Sequence, residues 1–184
     1  MSSPQTLSET DRRIVAAWAA DCAERVLPLF EAEAPDDDRA RDGIVRARAF
    51  ANGELDAGGE IRRRFLAGRA SGAAISPAGK AAAWSAGQAS GVAHMGAHAL
   101  GAAAYAAKAA DLAHPGGGAD EIAWQLAAMS APVQDALRRL PPLGEDSSGP
   151  LGAGLLASGA LGRNIRLLQA ALDAPSRPRR HPAR

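Results

Sequence analysis

An all-α fold is predicted from three observations. Apolar residues recur at spacings of three and four along several stretches, which is the signature of amphipathic helices. No strand is evident anywhere in the 184 residues. Pro- and Gly-rich clusters cut the chain at helix-length intervals. The expected architecture is a multi-helix bundle of orthogonal or antiparallel helices, with helix pairs that would tolerate stacking. It divides into a helical domain over 1–140 and an extension over 141–184. The extension reads as a Gly/Pro-rich linker, a short helix and a flexible Arg-rich tail.

Ser8 followed by Asp11 resembles a capping box in which Asp replaces the usual Glu. From there Ile14, Val15, Trp18, Cys22, Val26, Leu29 and Phe30 form one helical stripe, with Pro28 in its last turns. Pro35 and the acidic run Asp36, Asp37, Asp38 end this helix and supply the cap of a second over 39–51. Asn52-Gly53 stops that one, since both residues tolerate a left-handed C-terminal cap. A third helix over 56–70 carries Ile61, Phe65 and Leu66, with Gly58 and Gly59 weakening its start. The longest helical run is predicted over 79–112, ended by Pro115-Gly-Gly-Gly118. A fifth helix over 119–140 is interrupted by Pro132. After a Gly-, Pro- and Ser-rich linker at 143–154, a last helix over 155–172 runs through Leu161, Ile165, Leu168 and Leu172. Residues 175–184 form the Pro- and Arg-rich tail.

Composition narrows the function classes. Apolar residues make up 47% of the chain but aromatics only 4%, so an alanine core must be filled at its gaps by a few large side chains. One cysteine, Cys22, rules out an intrachain disulfide and a thiolate zinc cluster. The N-terminus lacks the basic and apolar regions of a secretory signal, and a cytoplasmic protein is expected. The apolar run at 91–107 contains two histidines and reads as a buried helix, so no membrane partner is expected. Residues 1–60 hold 13 acidic and 7 basic side chains, residues 61–184 hold 7 acidic and 14 basic, so the net charge of +1 conceals an acidic front and a basic rear.

On a helical wheel of the run 79–112, Lys80, Gly87, Ser90, His94, His98, Gly101, Tyr105 and Lys108 fall near one line. Trp84, Val92, Met95 and Ala99 lie away from it. His94 and His98, at i and i+4, share the spacing of two metal ligands, with Asp21 or Glu24 as a third. The intervening residues are Met-Gly-Ala, so the glutamate of a zinc-protease helix is missing. Hydrogen bonding of both histidines between helices is the simpler reading. Asp21 and Arg25 form an acid-before-base pair at i and i+4 on the first helix. Cys22 reads as a buried structural thiol. Gly116–Gly118 lacks the Lys-Ser/Thr ending of a phosphate-binding loop.

Two segments, Trp18-Ala-x-Asp-Cys-Ala-Glu-Arg-Val-Leu-Pro-Leu-Phe-Glu31 and Ala93-His-Met-x-x-His-Ala-Leu-x-Ala-Ala-x-Tyr-Ala-Ala-Lys108, resemble those of a bacterial family. It is the family of small helical immunity proteins assigned to polymorphic toxin systems. Arg48-x-Phe50 and Gly53-Glu54 stand where such proteins carry an Arg-x-Trp and a Gly-Glu pair. The matched positions are Asp21, Cys22, Glu24, Arg25, His94, His98 and Tyr105, over roughly 8–137. The resemblance implies an all-α, non-enzymatic protein that binds and neutralises a cognate toxin. Its binding residues would be Asp21, Glu24, Arg25, His94, His98 and Tyr105 at the matched positions, joined by Lys108 from the polar stripe of the helical wheel, where binding is expected, with no cofactor. The acidic front, including Glu31, Glu33 and Asp36 to Asp38, would meet a basic toxin. The alternative is a small metal-binding protein or enzyme using the His94/His98 face. A nucleic-acid partner is not expected, because four tail arginines are too few for tight binding at physiological salt.

Overall fold

Helix α1 (Glu9–Glu31) starts where its cap predicts. The Ser8 hydroxyl accepts from the Asp11 amide at 3.1 Å and donates to the Asp11 carboxylate at 2.9 Å. In this computed structural model, which describes residues 3–63 and 65–174, α1 buries Val15, Trp18, Cys22, Val26 and Phe30 along one stripe. Helix α2 (Arg39–Ala51) has the expected bounds. Its first amide is capped by Asp37 at 3.2 Å, while Asp38, at the N-cap position, makes no side-chain cap bond. Gly53 takes a positive φ of 82° just past its end, which frees the chain to reverse.

The third predicted helix is broken into α3 (Ala57–Arg63) and α4 (Leu66–Arg69), followed by a 3-10 turn over Ala70–Ala73. Phe65 and Leu66, expected on a buried face, are exposed instead. Alongside the packing of Ala57 on the core, an ion pair ties α3 to α2. Glu60 is buried and receives both Nε and Nη2 of Arg46 on α2, at 3.0 and 2.5 Å.

The longest predicted helix is two helices. Helix α5 (Pro77–Gly91) and helix α6 (His98–Ala113) are joined by a tight turn and pack antiparallel. The turn is fixed from outside. Gly96 and Ala97 donate their amides to the carbonyls of Thr6 and Gln5, and a Cβ on Gly96 would sit 2.4 Å from the Leu7 side chain. Helical periodicity continues across 92–97 because Val92, Ala93 and Ala97 are all buried. The apolar pattern therefore could not reveal the reversal.

Helix α6 is the central element, packed against α1, α5, α7 (Gly117–Ala128) and α9 (Gly159–Asp173). Its alanines at 99, 102, 103, 104, 106, 107 and 109 are fully buried, and such small side chains allow neighbouring helices to come close. Pro132 separates α7 from α8 (Ala131–Leu137), where Ser130 caps and Pro132 occupies the first turn. The segment read as a linker packs on this same core. Leu151 is fully buried, its amide donates to the side chain of Gln5 at 2.8 Å, and the Gln5 amide group donates to the carbonyls of Asp146 and Ser148. The Arg-rich tail at 175–184 lies outside the described residues. Among the described residues there is no strand, and no helix is long and apolar enough to cross a membrane.

Candidate functional site

The hairpin reorganises the predicted polar stripe. Its α6 residues His98, Tyr105 and Lys108 are folded against α5, where they meet residues both on and off the predicted line. Lys80 comes opposite Lys108, Trp84 opposite Tyr105, and Gln88 opposite His98. Trp84 and Tyr105 stack at 6.2 Å between ring centroids, and the Lys108 ammonium lies 6.0 Å from the Tyr105 ring centre. Burial raises the Tyr105 phenol above its ordinary pKa. His98 Nδ1 and Gln88 Oε1 are 2.8 Å apart, and this bond turns the ring across the hairpin.

Trp84 stands between two clefts. One, of about 330 Å³, is lined by Phe65, Gly68, Arg69, Gly87, Gln88 and His98 among others. The second, of about 310 Å³, is lined by Lys80, Tyr105, Lys108, Leu155 and Leu161 around the same indole. The glycines explain the first. A Cβ on Gly87 would lie 2.7 Å from the Gly68 Cα, so only bare backbone lets α4 cross α5 this closely. Crossing there leaves Trp84 42% exposed beside Phe65 at 59%, while Leu155 across the second cleft is 72% exposed. These large exposed apolar groups are what reading the sequence missed. The signal was present as Trp84 alone in an alanine-rich helix, flanked by glycines at 79 and 87.

His94 sits in the turn, its ring centroid 6.4 Å from that of His98, so the two are not stacked on one helical face as expected. Among the described residues, no three or more His, Cys, Asp or Glu side chains converge as a metal site would require, and neither Asp21 nor Glu24 serves as the third ligand.

The α1 residues do something different from what their spacing suggested. Asp21 pairs with Arg48 of α2 at 2.6 Å instead of with Arg25, and Glu24 pairs with the other arm of the same guanidinium. Arg25 reaches α7, where its Nε meets the buried Glu121 carboxylate at 2.9 Å and its guanidinium covers Trp124 at 4.0 Å. Asp21, Glu24 and Arg25 thus tie α1 to both of its neighbours. Much of the acidic front is engaged as well. Glu31 pairs with Arg41, Asp37 with Arg39, and Glu33 accepts from the amides of Ile75 and Ser76. Cys22 is fully buried beside this network, and burial pushes its thiol well above its ordinary pKa.

The family model described as Imm-5 like putative immunity protein matches residues 5–132. That span takes in α1 to α7, the hairpin, and the Asp21/Glu24/Arg48 and Arg25/Glu121 ion pairs. No curated protein and no solved structure matches the chain.

Proposed function

Because the chain belongs to the Imm-5 like putative immunity protein family, we propose that it binds a cognate bacterial toxin domain in the cytoplasm and neutralises it by covering it. It performs no chemistry of its own in this reading. The observation that carries the surface assignment is Trp84, a large aromatic side chain left 42% exposed between two clefts. Exposed aromatics seated in pockets are the anchors on which binding energy concentrates. Contiguous exposed apolar groups on a monomer mark interaction sites. Of the residues proposed for binding, His98, Tyr105 and Lys108 belong to this face. Asp21, Glu24 and Arg25 act through the frame, holding α1 against α2 and α7.

The test is co-expression with the toxin domain encoded beside its gene, followed by co-purification and a growth-rescue assay. A stoichiometric complex with rescue is the expected result. A Trp84→Ala variant that folds normally is expected to lose both. Failure of the wild-type chain to bind or rescue would remove the immunity reading.

A further inference from the structure

The two lysines of the chain, Lys80 and Lys108, line one cleft, and Arg69 lines the other. No carboxylate is present among the described lining residues of either cleft. None of these three cations makes an ion pair with a described carboxylate, whereas Arg13, Arg25, Arg39, Arg41, Arg46 and Arg48 all do. Two acids near this face are engaged elsewhere. Glu33, whose charge Lys80 helps to hold, accepts from Ser76 and Ile75 at the start of α5, and Asp111, which shares a separate cleft with Lys108, accepts from the Gly116 amide at 3.0 Å. The face is therefore apolar at its centre, around Trp84, Phe65 and Leu155, and cationic at its rim.

We propose that this face receives an acidic segment of the partner, with one apolar or aromatic side chain entering each cleft and carboxylates meeting Arg69, Lys80 and Lys108. The proposal rests on the immunity reading and reverses the charge expected from the acidic front, where a basic toxin was anticipated. Opposite charge at the rim sets orientation and speeds encounter, while the buried aromatic anchors set lifetime. It commits the protein to a partner whose inhibited surface is acidic at the point of contact, whatever its overall charge.

The probes are three short peptides of one apolar pattern, alternating phenylalanine or leucine with aspartate, with asparagine, or with lysine. Binding is followed on the indole N–H signal of Trp84 by NMR, with buried Trp18 and half-buried Trp124 as internal references. The aspartate peptide is expected to bind about tenfold or more tighter than the asparagine peptide. This preference should vanish in K80E/K108E and fade when salt rises from about 0.1 M to about 1 M, which shortens the Debye length from about 10 Å to about 3 Å. Equal binding of all three peptides, or shifts confined to other residues, would overturn it. So would self-association that Trp84→Ala abolishes, which would assign the face to a second copy of the chain. The toxin assay separates this proposal from the immunity reading. If the wild type rescues and K80E/K108E, melting normally, rescues equally well, the surface assignment falls and the function stands. If the wild type fails to rescue, the function falls while the peptide series still decides the chemistry of the face.

Discussion

Trp84 and Tyr105 stack across the α5–α6 hairpin with their ring planes inclined by 24°. The indole shields a phenol that is itself buried, and desolvation of the phenolate holds the Tyr105 pKa above its ordinary value near 10. Tyr105 is the chain's one tyrosine, so phenolate absorbance reports it alone. The native protein is expected to titrate above pH 10 and the unfolded chain near it. A folded-state pKa raised in this way means the native state keeps a proton that the unfolded state releases. The stability this confers is complete below about pH 10 and is lost as pH rises through the native value. In Trp84→Ala the native titration should move back toward 10. Loss of the stacked pair should cost about 0.5–1.5 kcal/mol beyond the buried area, read by denaturant melts.

Close approach of α4 and α5 depends on Gly87. A methyl group there would lie 2.7 Å from the Gly68 Cα and 2.9 Å from its nitrogen, both backbone atoms that cannot rotate away. Gly87→Ala is expected to destabilise by about 1–3 kcal/mol through overpacking, lowering Tm by about 2–4 °C per kcal/mol. The same change at Gly72, where no atom lies within 4 Å of the new Cβ, should be neutral or raise stability by about 0.4–1 kcal/mol. Equal melting temperatures for the two variants would show that the helices do not cross as described.

Local signals in the sequence were sufficient wherever local interactions decide the structure. The Ser8 cap, the Asn52-Gly53 stop and the Pro132 break each act within one turn of the chain and were legible. The α5–α6 reversal was not, because its cause lies in Gln5, Thr6 and Leu7, far away in sequence, and because the turn is as apolar as a helix. That one error displaced much of the candidate site. His98, Tyr105 and Lys108 share α6, and the residues that face them are Gln88, Trp84 and Lys80 across the hairpin, of which the stripe included only Lys80. Spacing likewise paired Asp21 with Arg25, since the i, i+4 rule cannot see that Arg48 and Glu121 offer each of them a better partner from another helix.

The Arg25–Glu121 pair differs from the surface ion pairs in how its carboxylate is placed. Glu121 is only 5% exposed, and among the described residues it accepts, besides Arg25, one bond, from Gln125 at 3.3 Å. Arg25→Ala leaves that carboxylate buried and under-satisfied. The expected cost is about 1.5–3 kcal/mol, below the full value for a buried pair because the guanidinium is partly in water. A double-mutant cycle with Glu121→Gln should give a coupling above about 1 kcal/mol that persists at high salt. The exposed Arg41–Glu31 pair should give less than about 0.5 kcal/mol and lose it to screening. Similar coupling for both would mean that burial of Glu121 adds nothing to its pairing.

Glu33 joins the end of α1 to the start of α5 through a single carboxylate. Its Oε2 accepts from the Ile75 and Ser76 amides at 2.6 and 2.8 Å, its Oε1 accepts from the Ser76 hydroxyl, and that hydroxyl in turn caps α5 by accepting from the Gly79 amide at 2.9 Å. The Ser76 hydroxyl first, and then the two amides, hold the Glu33 pKa below the ordinary glutamate value. A depressed native pKa means that protonation favours the unfolded chain. The contribution is therefore present above the unfolded value near 4.3 and disappears as pH falls through the native one. Glu33→Gln removes the charge these donors converge on. Exchange of the Ile75 and Ser76 amides should then accelerate at neutral pH, while amides in the middle of α6 keep their rates. Stability of the variant should also fall less steeply than wild type on acidification below about pH 4. Unchanged exchange at both amides would mean that the start of α5 is held by packing against α1 alone.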